Sequence, residues 1–311
     1  MLQTSKFPEL IEPKHRELFH DAYYDEMEVG YTSLFKEIEM GKPTETYQHV
    51  GAFGKWRKNV EGGKLNVSTM SEGDTAEYTV VRYDDSYIVT HEMMSDDLSG
   101  VVGGKGMMGA SVINNAPQLL GQGGREVEDY EAASLLTGGF TNTGYDGVSM
   151  FNAAHPLADS SQTVSNLATG ELSPANLKEA LTLGRTETRG ESAIRKVARF
   201  TKLVVPPSLQ WVAAEIIGSM KQAYENSNTE NVLPNLEVIV YDRLEDTEDA
   251  TNNTNWFLKS DNIENLIMGW KERPFFGATQ IDGGIDWRCY AVSRFVPAYV
   301  NWRGIVGSTG V

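Results

Sequence analysis

Residues 46–60, TYQHVGAFGKWRKNV, lead to a polar turn, Glu61-Gly62-Gly63-Lys64. The chain then runs through LNVSTMSEGDT (65–75) and returns as AEYTVVRYDDSYIVT (76–90). Aromatic and β-branched residues with partial alternation predict a strand on each arm. The Gly, Asn, Ser and Asp residues between them predict a long connection. At ~3.3 Å per residue each arm reaches about 30–45 Å, and the tip carries too few apolar residues to pack on its own domain. A two-stranded ribbon alone is marginally stable in water. The hairpin is therefore expected to lie on something else, such as a neighbouring copy of the chain.

The 311 residues allow one or two domains with enough core to fold without staples. The single cysteine, Cys289, excludes an intrachain disulfide and a thiolate metal cluster, and fits a reducing cytoplasm. Forty-three acids against 27 bases, a net charge of −16, argue against a sequence-reading nucleic-acid binder. An acidic wall around DNA is another matter, because repulsion keeps the polymer from sticking. The first residues, MLQTSKFPELIEPKH, lack a signal-peptide apolar core. No run approaches the ~20 apolar residues of a membrane helix, so a soluble intracellular chain without membrane contact is expected.

Residues 12–40 hold a helix candidate with Leu18, Phe19, Ala22 and Tyr23 at helical spacing, either a surface helix or an arm reaching a partner. Past the hairpin, 107–120 and 126–136 read as helices, the second with Val127, Ala132, Leu135 and Leu136 above a charged face. Pro117 and Gly121-Gln122-Gly123-Gly124 predict a bend or break between them. Residues 138–165 are turn-rich, and Ser173 with Pro174 marks a helix start continued by Leu177, Ala180 and Leu181. Arg185, Arg189, Arg195, Lys196, Arg199 and Lys202 form a local basic patch. It reads as a solvated face or a surface complementary to an acidic neighbour rather than a nucleic-acid site. FTKLVVPP (200–207) reads as a strand stopped by two prolines. An amphipathic helix follows, marked by Leu209, Val212, Ala213, Ile216, Ile217, Met220 and Tyr224, with Ser208 as cap. LEVIVYD (236–242), NWFLKS (255–260) and the tail from Ile285 read as strands. The expected class is α+β.

Signals for chemistry are sparse. Gly104, Gly106 and Gly109 spell Gly-x-Gly-x-x-Gly, but no buried strand precedes them and none ending in an acid follows, so no cofactor is expected. Together with Gly103 they read as a hinge between the hairpin and the helical element. His15, His20, His49, His91 and His155 form no zinc-ligand spacing, and no metal site is expected. His155, in FNAAHPLAD near Asp159 and Ser160, either anchors a turn or serves an intracellular hydrolase. Glu245, Asp246, Glu248 and Asp249 miss the glycine and twelfth-position glutamate of a calcium loop and read as a solvated loop.

Five stretches in this order resemble the major capsid protein of tailed bacteriophages with the Hong Kong ninety-seven fold, and within it the major head subunit of Mu-like phages. They are GKWRKN (54–59), YTVVRYDD (78–85), MMSDDLSGVVGG (93–104), LLTGGFTNTGYDGVSMFNAAHP (135–156) and KLVVPPSLQWVAAEIIGS (202–219). The resemblance covers about 53–303. REVEDYEAASLL (125–136) departs from it, closer to other tailed-phage capsids, and no long N-terminal coiled coil serves as a built-in scaffold.

The resemblance implies an N-terminal arm (1–45), an extended loop (46–91) and a linker with spine helix (92–137). It further implies a peripheral domain (138–203 and 279–311) and an axial domain (204–278), whose loop at Glu245, Asp246, Glu248 and Asp249 points to a capsomer axis. The implied function is assembly, not catalysis. Pentamers and hexamers form an icosahedral shell in the bacterial host cytoplasm, enclosing double-stranded DNA without reading its sequence. The tip at Glu61, Gly62, Gly63 and Lys64 lies on an adjacent subunit, and the glycines at 103–109 and 121–124 let one chain fit both kinds of ring. Maturation is implied as a switch between two packings, with portal and decoration proteins as partners and scaffolding from either a separate protein or a cleaved pro-segment. Some relatives form an isopeptide cross-link, for which Lys64 is the candidate here. An encapsulin-like compartment with the same fold is the alternative shell.

Overall fold

The computed structural model describes all residues except 1–7, 25–29, 51–55, 68–71, 97–111, 158–159, 191–193, 219–232, 234–235, 246–253 and 282–283. Alternation of apolar residues fixes its two main sheets. In β10 (Trp256–Ser260) every residue is buried, with Trp256 and Leu258 on one face and Phe257 on the other. β8 (Phe200–Val205) repeats the arrangement, with Leu203 and Val205 opposite Val204. These strands are the centre of a five-stranded sheet ordered β7-β13-β10-β8-β9, completed by β7 (Leu167–Ala168), β13 (Ile305–Ser308) and β9 (Glu237–Val240). One face packs on α4 (Pro174–Glu187) and α5 (Gln210–Gly218) through Leu177, Ala180, Ala213 and Ile216. Ser173 caps α4, accepting from the Asn176 N–H at 3.2 Å, with Pro174 at the first helical position as the sequence predicts.

The second sheet is ordered β1-β11-β12-β4, from β1 (Lys36–Glu39), β11 (Leu266–Gln280), β12 (Trp287–Tyr299) and β4 (Val81–Val89). The long antiparallel pair β11–β12 is its backbone, and β1 joins it in parallel. β11 carries no clean strand signal because Gly269 and Pro274 interrupt it. Register shifts fall between Trp270 and Glu272 and between Glu272 and Phe275, and Pro274 sits within the second. Trp270, Phe295, Phe257, Phe151 and Trp302 form a core shared by both sheets and α3 (Val112–Thr137).

Several expectations are corrected. The return arm of the hairpin is two strands, not one. β3 (Glu72–Thr79) pairs with β2 (Thr44–Val50), whereas β4, beyond Val80, pairs with β12 in the four-stranded sheet. On that sheet's edge β4 has one partner strand, as in a ribbon, but it gains core contacts through Tyr83 on Phe295 and through Val89. The boundaries expected at 203/204 and 278/279 fall inside β8 and β11. β13, from the end of the chain, shares a sheet with β8 and β10. The helix expected within 12–40 is α1 (Pro8–Tyr23), which holds Leu18, Phe19, Ala22 and Tyr23 and starts earlier; a turn at Tyr31–Ser33 and then β1 follow. Ser208 lies in a 3-10 turn, Pro207–Leu209, that precedes α5.

No break interrupts α3, although it contains Pro117 and the glycines. Tertiary packing overrides the local penalty. A Cβ on Gly121 would stand 2.5 Å from the Phe19 carbonyl oxygen and 3.2 Å from the Tyr23 nitrogen, so α1 lies backbone-close on α3. The glycine permits close approach rather than a bend.

Below that contact lies a buried polar clasp. The Tyr23 hydroxyl stands 2.8 Å from both oxygens of Glu128, whose exposure is 0 %. Asp129 accepts from the Tyr31 N–H at 2.7 Å and pairs with Arg125 at 3.3 Å, and the Tyr241 hydroxyl donates to the Asp129 carbonyl. Burial pushes the Glu128 carboxyl up from 4.5 to about 8, with Asp129 adding to the rise and Tyr23 and Arg125 opposing it.

Two outcomes are expected. Gly121→Val overpacks the α1–α3 contact at a cost of about 1–3 kcal/mol. Thermal unfolding will show the loss, and limited proteolysis will show faster cleavage near Tyr24. The native state holds the Glu128 proton that the unfolded chain releases above 4.5. The contribution of Glu128 to stability is therefore full below that pH and is lost as pH rises toward about 8, with a limiting slope of ~1.4 kcal/mol per pH unit. Melting curves from pH 5 to 8 will show this fall, and Glu128→Gln, which keeps a partner for Tyr23, will flatten it.

Candidate functional site

The hairpin β2–β3 is anchored at its base and bare at its tip. At the base the Val80 N–H donates to the Pro43 carbonyl and the Tyr78 hydroxyl donates to the Tyr299 carbonyl. The His49 ring stacks on Tyr145 with centroids 4.9 Å apart. Ala76 is buried, so this end belongs to the body of the protein.

Residues 56–67 are all exposed. The Gly63 N–H donates to the Val60 carbonyl at 3.0 Å, closing a four-residue turn. Gly62 has φ 77°, the left-handed value a type II turn requires at its third position. Asn59 Nδ2 donates to the Lys64 carbonyl at 2.7 Å, so Glu61, Gly62, Gly63 and Lys64 sit in a defined loop. Trp56 is 99 % exposed and Leu65 89 %, with Val60 and Val67 close behind. An indole wholly in water, in one loop with three exposed aliphatic side chains, is the mark of a surface covered in an assembly. The sequence reading took this tip as polar and passed over its apolar residues, which lie either side of the glycine turn.

The other candidates resolve differently. His155 is fully buried, with Nδ1 2.6 Å from Asp146 Oδ2 and Nε2 3.0 Å from Asn166 Oδ1. Asn166 Nδ2 donates to the Met150 and Trp302 carbonyls, and its Oδ1 also accepts the Asn152 N–H. The orientation of Asn166 therefore makes His155 Nε2 a donor. Trp302 stacks on the ring at 3.9 Å. Both nitrogens are committed and the ring is closed to solvent, the arrangement of an anchor between turns. The sequence signal was present, since Tyr145-Asp146-Gly147 and His155-Pro156 lie in one turn-rich segment that folds back on itself. Ser160 lies in β6 (Ser160–Val164), and Asp159 is outside the described residues.

The hinge glycines Gly103, Gly104, Gly106 and Gly109 lie outside the described residues, as do Asp246, Glu248 and Asp249 of the axial loop. Glu245 accepts the Ser208 N–H at 2.8 Å. The basic stretch is dispersed. Arg189 and Arg195 face each other across an isolated bridge, Arg199 N–H donates to Asn262, and Lys202 turns inward. Among the described residues no three His, Cys, Asp or Glu side chains gather to hold a metal ion, and no helix is long and apolar enough to cross a membrane.

The fold is shared with solved phage capsids. The capsid subunit of cyanophage Pam1 superposes with TM-score 0.57 at 11 % identity, over 88 % of this chain and 87 % of that one. The mature capsid of bacteriophage PhiM1 gives 0.53 at 9 %, over 88 % and 84 %. The procapsid of bacteriophage JBD30 gives 0.52 at 14 %, over 98 % and 75 %. At such identities the likeness carries the fold, which is the Hong Kong ninety-seven fold expected above. No curated protein matches the chain. A sequence model of the family described as phage capsid protein matches residues 73–308, more than half of the chain. With that match on this fold, the chain belongs to the phage capsid protein family and is a major capsid protein.

Proposed function

We propose that copies of this chain assemble into pentamers and hexamers of an icosahedral head that encloses double-stranded DNA, and that the chain works by assembly and not catalysis. The observation that carries this reading is the anchored hairpin with Trp56 and Leu65 bare at its tip. In this reading the tip lies on an adjacent subunit, covering apolar area that the isolated chain leaves in water. Many such contacts repeat over a closed shell, so each one is weak and the whole is stable.

Strand pairing suggests how the parts divide. The five-stranded sheet with α4 and α5 is the axial unit, and Glu245 begins the loop that would point to the capsomer axis. The four-stranded sheet with spine helix α3 is the peripheral unit, α1 the arm and 44–79 the extended loop. The glycines at 103–109 would adjust that loop between rings of five and six. The motif order at 54–59, 78–85, 93–104, 135–156 and 202–219 supports reading the head as one of the Mu-like group, assembled in the host cytoplasm. A separate scaffold and portal and decoration proteins are the partners that fit this reading. The JBD30 capsid is decorated with minor capsid protein trimers, an example of the last.

Electron microscopy with light scattering on the purified protein is expected to show closed shells or rings of five and six. A chain that stays monomeric with crowding agents and a candidate scaffold would overturn the reading. Trp56→Ser with Leu65→Ser is expected to prevent shell closure while shifting subunit stability by no more than about 0.5 kcal/mol, since neither side chain packs on its own subunit. His155→Ala is expected to destabilise by about 3–5 kcal/mol, leaving Asp146 buried without its partner. Calorimetry will show a lowered melting temperature.

A further inference from the structure

Where the two sheets meet, the chain leaves a recess of about 410 Å³ between the turn at 32–36, β8, β10 and the loop 261–266. Two lysines point into it from neighbouring strands. Lys259 Nζ stands 3.2 Å from Asp261 Oδ1, and Lys202 Nζ stands 3.6 Å from the same oxygen while donating to the Ser33 carbonyl at 3.0 Å. The other oxygen of Asp261 accepts the Thr201 hydroxyl at 2.7 Å. At the rim Lys36 and Glu264 neutralise each other at 2.6 Å. Two ammonium groups therefore share one carboxylate, and the recess keeps one positive charge in excess.

The excess is not a solvated surface charge. Lys259 is only 9 % exposed, and of its three N–H donors one meets a partner among the described residues. Burial holds its ammonium below the usual lysine range, against the pull of Asp261. A nearly buried cation with unused donors facing a cavity is completed by an oxyanion. In a chain of net charge −16, the oxyanion that every other copy presents in surplus is a carboxylate.

We propose that this recess is a subunit-contact site that receives an aspartate or glutamate carboxylate from a second copy of the chain. The inference rests on the assembly reading above and adds a specific electrostatic lock at the sheet junction, away from the hairpin tip. The seated carboxylate gives Lys259 and Lys202 a second acceptor and offsets mutual repulsion between acidic copies.

The test is zero-length carbodiimide coupling of shells assembled from equal amounts of ¹⁴N and ¹⁵N chains, read by mass spectrometry. Mixed-isotope peptides joined at Lys259 or Lys202 are the expected product. If shells form and these lysines couple only to Asp261 in same-isotope peptides, the recess proposal falls while the assembly reading stands. If no shells or rings form even with crowding agents and a candidate scaffold, both fall. In parallel, Lys259→Met keeps the packed stem and removes the charge. It is expected to raise the subunit concentration needed for assembly several-fold at low salt, with an unchanged melting temperature for the free subunit. At 1 M salt, where screening acts within about 3 Å, the difference should vanish. Assembly equal to the parent chain at low salt would overturn the proposal.

Discussion

The carboxyl groups of Glu128 and Asp129 lie one helical turn before Ala132 and Ala133 and two before Leu136, and the rest of the molecule is arranged about that juxtaposition. The apolar residues bind α3 to the core that both sheets share. The acids bind two pieces of chain to the same helix, the arm helix through Tyr23 and the turn before β1 through Tyr31. The backbone carbonyl of Asp129 adds a third tie, accepting the Tyr241 hydroxyl just past β9. Buried acids are costly unless every lone pair is met. Here hydroxyls, an amide and Arg125 meet them, so the helix is committed to one rotation and the pieces to one position.

With α3 fixed, two sheets of different character can sit on it. The five-stranded sheet is buried on both faces at its centre and brings its own helices, so it is rigid. The four-stranded sheet has one face on α1 and α3 and the other open, and its edge strand β4 continues directly from the hairpin. The hairpin is thus an extension of a sheet edge whose far end has nothing to pack on within the subunit. A fold that leaves an indole and three aliphatic side chains in water is complete only as part of a larger assembly.

Much of this was legible in the sequence. The two faces of β8 and β10 follow from their continuous apolar runs, the start of α4 from Ser173 and Pro174, and the hairpin from its aromatic arms and glycine turn. The kinship followed from five short stretches in order, none specific alone. What failed did so for tertiary reasons. Pro117 and the glycines look like a helix break until Gly121 is seen beneath the backbone of Phe19. β11 is hidden by a proline that a bulge accommodates. β4 looks like the rest of the hairpin because a strand's alternation does not say which neighbour it will take. The lysine recess was dissolved in a basic stretch whose members turn to different sides, and only Lys202 faces inward.

The attachment of the hairpin has a mechanical meaning. Its base is held by Tyr78 on the Tyr299 carbonyl and by His49 on Tyr145, and Tyr299 ends β12 just before Trp302, which covers His155. The ribbon is a lever whose fulcrum is the seam between the two sheets. A load carried by β2–β3 meets that seam at Tyr299 and Tyr145, where the end of β12 turns toward the five-stranded sheet. A contact that displaces the ribbon therefore bears on the join between the two halves of the subunit.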